Sequence, residues 1–75
     1  MNVHDLEKHM IPFEEGLEKL RKIDPQEANN VLLTAEQGYP IGFAYTEETG
    51  LAVLCSGQGP FIAWQEKEFH VEPVI

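Results

Sequence analysis

From Val3 the large apolar residues fall at Val3, Leu6, Met10, Phe13, Leu17 and Leu20, in alternating steps of three and four that place them on one helix face. Pro12 removes a backbone donor and Gly16 weakens the interior, so the pattern predicts a short turn of helix, a bend, and a firm helix from about Pro12 to Ile23. Charge order agrees with a restart at Pro12. Glu14 and Glu15 then lie at the positive end of the helix dipole, and Lys19, Arg21 and Lys22 at its negative end.

Asp24-Pro25-Gln26-Glu27 reads as a stop followed by a fresh start, with Asp24 as cap, Pro25 in the first helical position and Glu27 three residues on. Beyond it the pattern shifts to short runs rich in β-branched and aromatic residues, separated by turn residues. Five strands are predicted: Val31 to Glu36, Ile41 to Thr46, Leu51 to Cys55, Phe61 to Gln65 and Glu68 to Val74. The first run fits equally a helix continuing from Pro25 and ending at Gly38. Connections of hairpin length make the strands an antiparallel meander.

The expected fold is therefore α+β in a single domain of residues 1–75. Residues 1–24 supply an N-terminal helix, kinked or in two pieces, residues 25–30 a turn or short helix, and residues 31–75 a four- to five-stranded antiparallel β-meander. The meander is either open or partly closed in the manner of an SH3-like barrel.

Alternation along the strands puts Ile41, Phe43 and Tyr45 on the face expected to meet the helix, with Leu51, Val53 and Cys55 opposed to Ala52 and Leu54. The same alternation sets Phe61 and Ala63 against Ile62 and Trp64. A single helix covers one side of a sheet, so Leu54, Ile62 and Trp64 are expected to need a cover from barrel closure, a second subunit or a partner. Trp64 is the expected anchor of such a surface.

Charge adds a second candidate surface. Thirteen acids, eleven of them Glu, oppose five bases, for a formal net charge of −8. Residues 1–24 hold six acids and four bases, whereas residues 25–75 hold seven acids and only Lys67. In a meander, alternate turns share an end of the sheet, so Glu47 and Glu48 should lie near Glu66 and Glu68 as an acidic tip. The opposite end collects an uncharged rim of Gly38, Tyr39, Pro40, Gly57, Gln58, Gly59 and Pro60. Direct binding of nucleic acid or anionic lipid is not expected without clustered Lys and Arg. A basic protein partner is the natural complement.

Chemistry leaves little trace. Cys55 is the only cysteine, which rules out a disulfide within one chain and suits a reducing cytoplasm. The stretch from Thr49 to Gln65 lacks charge but is broken by Gly50, Gly57, Gly59 and Pro60, so no membrane span is expected, and the start Met1-Asn2-Val3-His4-Asp5 has no leader pattern. Ser56-Gly57-Gln58-Gly59 joins two strands, so it reads as a turn rather than a phosphate cradle. His4, Asp5 and His9 make at best a partial metal site. Cys55, His70 and Glu72 have the residue types of a thiol triad, but His70 and Glu72 merely alternate on one strand face. No catalytic, cofactor or metal residue is assigned.

The expectation is a small, non-enzymatic, cytoplasmic interaction protein that binds and inhibits or modulates a larger basic or nucleic-acid-handling macromolecule, like the acidic inhibitors and nucleic-acid mimics of phages and mobile elements. Its partner-binding residues would be Glu47, Glu48, Glu66, Glu68, Leu54, Ile62 and Trp64. The alternative is a structural or assembly role as a homodimer or docking module through the Val3 to Leu20 seam and the Leu54, Ile62, Trp64 face.

Overall fold

A computed structural model describes residues 3–55 and 61–67 of the chain, with the side chains of residues 5–55 and 61–67. In chain order the elements are α1 (Val3–Glu7), β1 (Met10–Ile11), α2 (Phe13–Ile23), α3 (Pro25–Glu36), β2 (Ile41–Thr46), β3 (Gly50–Cys55) and β4 (Phe61–Gln65). Among the described residues the strands form one sheet in the order β1-β2-β3-β4, every neighbour antiparallel and the sheet not closed into a barrel, while the expected strand Glu68 to Val74 lies outside the described residues. The α+β class and the antiparallel meander are as expected.

The bend at Pro12 does more than kink a helix. After α1 the chain turns through Lys8 and His9, and Met10–Ile11 pairs with Phe43 and Ala44 at the edge of the sheet. Pro12 then flanks α2 with an extended backbone, ψ 142°. The apolar seam is thereby divided. Leu17 and Leu20 pack on one face of the sheet, and Leu6 packs on the other.

The residues expected to open the meander, Val31 to Glu36, are instead the second half of α3. A run of four apolar or β-branched residues does not by itself distinguish strand from helix. Cap chemistry decides it. The Asp24 side chain accepts the Glu27 N–H at 3.2 Å, starting a helix with Pro25 in its first turn. At the far end Gly38, at φ +93°, donates to Ala35 O (3.0 Å) and Tyr39 to Thr34 O (3.4 Å). That is a Schellman closure, which needs a left-handed residue that Gly supplies without a Cβ penalty. Within α3, Ala28 and Val31 are buried while Leu33 faces outward.

The main core joins Leu17 and Leu20 of α2, Ala28 and Val31 of α3, and Phe43, Leu51 and Val53 of the sheet. Phe13 tilts against Phe43 with ring centroids 5.4 Å apart. Gly16 sets how closely α2 approaches: a Cβ there would lie 2.2 Å from the Phe43 ring. The glycine that weakens a helix in isolation is what lets the helix sit on an aromatic ring.

Candidate interaction site

The β2–β3 connection is a three-residue hairpin loop, Glu47-Glu48-Thr49, closed by Gly50 at φ +70° opposite Thr46. Its scaffold is internally bonded. Thr49, only 2% exposed, donates its N–H to Thr46 Oγ1 (3.0 Å), shares a hydroxyl–hydroxyl bond with Thr46, and reaches the Gly50 carbonyl. Burying a threonine is tolerable because its polar groups are satisfied. Glu47 and Glu48 project outward from this anchored loop.

Glu66 arrives at the same end, as meander geometry requires. Its backbone N–H donates to Leu51 O, and its Oε1 accepts the Leu51 N–H, each at 2.9 Å. Gly50 makes room for this carboxylate, since a Cβ there would lie 2.8 Å from Glu66 Oε1. Glu66 is thus also a structural acceptor that extends the β3–β4 ladder. Glu68 lies outside the described residues. The end is not purely acidic: Lys19 Nζ stands 5.0 Å above the Tyr45 ring, one residue before Thr46, within cation–π range.

The apolar residues expected to be spare are not held together. Leu54 is only 3% exposed, in a small second core with Leu6 and Ala44, and Ile62 lies half-buried at its margin. The cover expected from barrel closure or another chain comes from α1, which the division of the seam sends to this face. Trp64 lies on the opposite face, packed against the main core. The cause is a register shift: Val53 pairs with Trp64 but Leu54 with Ile62, so Ala63 is an extra residue in β4. One inserted residue reverses the parity of a strand, and Ile62 and Trp64 therefore face opposite ways.

On the helical side, the β4 margin carries Phe61, 55% exposed, beside Cys55, with half-buried Trp64 further along. Alternation puts Phe61 on the helix-facing side, where the structure has it, but does not show that this end of β4 lies beyond the cover of the helices. No element boundary signals a bulge in advance.

Among the described residues no group of three His, Cys, Asp or Glu is arranged to hold a metal. Asp5 lies in α1 and His9 in the turn after it, while the side chains of His4, His70 and Glu72 lie outside the described residues. Among the described residues no helix is long and apolar enough to cross a membrane.

Among the described residues the class is an open four-stranded antiparallel sheet with two helices on one face, a short helix on the other and an anchored acidic hairpin at one end. No protein-family model, no curated protein and no solved structure matches the chain.

Proposed function

We propose that this is a small, non-enzymatic interaction protein that binds and modulates a larger basic or nucleic-acid-handling macromolecule, with Glu47, Glu48, Glu66 and Glu68 as its electrostatic contact. The observation that carries the reading is the gathering at one end of the sheet of Glu47 and Glu48, on a loop held by Thr46, Thr49 and Gly50, with Glu66, which follows β4 and is held by the Leu51 backbone. A rigid display spares a binder the entropy of ordering its loop, and a net charge of −8 favours encounter with a basic surface. An inhibitor or nucleic-acid mimic of the kind phages and mobile elements encode, working in a reducing cytoplasm, is the concrete form.

The test is capture of partners on tagged protein, washed at low and high salt, with bound proteins identified by mass spectrometry. The reading expects a stoichiometric basic partner that leaves as salt rises, and its loss when Glu47, Glu48, Glu66 and Glu68 are all changed to Gln. Gln at position 66 keeps an oxygen for the Leu51 N–H, so the fold should persist. Undiminished binding by that variant would sink the acidic-contact reading.

One observation favours the alternative of a homodimer or docking module: Phe61 and Trp64 lie along the β4 margin on the helical side, where the packed residues of α2 and α3 meet β2 and β3. Light scattering at rising concentration separates the two. A dimer lost in Trp64→Ala favours assembly, and a monomer throughout favours the binding role.

A further inference from the structure

We propose that residues 3–10 form a reversible strap, whose release uncovers the Ala44, Leu54 and Ile62 side of the sheet while the helical side stays folded.

The strap's own secondary structure cannot hold it. A five-residue helix is far below the length at which helices persist unaided, and the strand that follows pairs over two residues. Its turn bonds are local, Lys8 N–H to Asp5 O and His9 N–H to Leu6 O. Across to the sheet, the backbone is tied by the β1–β2 pairing and by the Tyr45 N–H donating to His9 O at 3.1 Å. Among the described side chains, Leu6 seats it, fully buried against Ala44 and Leu54, and Met10, 45% exposed, lays its methyl over Gly42.

The hinge lies at Ile11 and Pro12. Ile11 packs on the main core, on the other side of the sheet from Leu6, so motion of the strap stops there. Every buried residue of that core comes from α2, α3, β2 or β3, and none from the strap. Local opening is expected where few buried apolar contacts hold a segment whose loss leaves the remaining core intact. The strap is therefore a cover over an apolar face rather than a pillar of the fold.

Amide exchange on the full chain, resolved by residue, is the first test. The His9 amide and the Tyr45 amide, which donates to the strap's carbonyl, should exchange together and at least about tenfold faster than those of Leu20 and Val53. Equal rates for all four would overturn the proposal. The second test is Leu6→Asp, which should keep a cooperative unfolding transition and gain binding of a hydrophobic dye. A folded variant with no gain in dye binding would overturn it, because no face would have been uncovered. Should Leu6→Asp not fold, the exchange rates of the unaltered chain decide.

Discussion

The two faces of the sheet are built unequally. The helical face holds seven buried residues from four elements, clamped by two helices that are themselves packed together. The opposite face holds Leu6, Ala44 and Leu54, and its cover is a short helix that reaches it through the bend at Lys8 and His9. The contrast teaches that apolar alternation on both sides of a strand does not imply two equivalent interfaces. One face can be the core, and the other can be covered by a short segment of the same chain, here through Leu6 and the Met10 methyl over Gly42.

The sharpest test of that inequality is to delete equivalent side chains. Leu20→Ala should cost about 3–4 kcal/mol, because α2 is held on several sides and cannot collapse into the cavity. Leu6→Ala should cost about 2 kcal/mol, since its loss is limited by release of the strap. Denaturant midpoints compare the two, and an equal or larger cost at Leu6 would erase the distinction.

Gly16→Ala probes the closeness of the helical face. The added methyl would meet the Phe43 ring at 2.2 Å, and a loss of about 2 kcal/mol is expected despite alanine's better helix propensity. A stabilised variant would mean that α2 can lift away from the sheet freely. Asp24→Ala removes the cap acceptor for Glu27 and should lower stability by about 1 kcal/mol, read from the thermal midpoint. Smallest of all should be the effect on folding of changing Glu47 and Glu48 to Gln, within about 0.5 kcal/mol, because both are exposed. That change bears on partner binding alone.

Local chemistry was legible from residue order. Asp24-Pro25-Gln26-Glu27 announced a helix start through its capping groups, and Pro12 announced a break through its missing donor. The strands Ile41–Thr46 and Phe61–Gln65 appear with the expected limits, and Gly50 joins the third strand one residue early. The meeting of Glu66 with the Glu47 turn followed from the rule that alternate turns of a meander share an end. These signals act within a few residues, or through topology alone, so one dimension carries them.

What only the tertiary structure decided concerns sides. Val31 to Glu36 joined a helix because the Gly38 closure and the buried Ala28–Val31 stripe outweighed an apolar run that suits either state. Leu6 took the face opposite Leu17 and Leu20 because β1 pairs at the sheet edge, where the chain can pass from one side to the other. Trp64 turned away from Ile62 because Ala63 bulges from the ladder. A bulge inverts side-chain parity without altering hydrophobic order, so the packing of both faces at once, and not the pattern along the chain, selects where it falls.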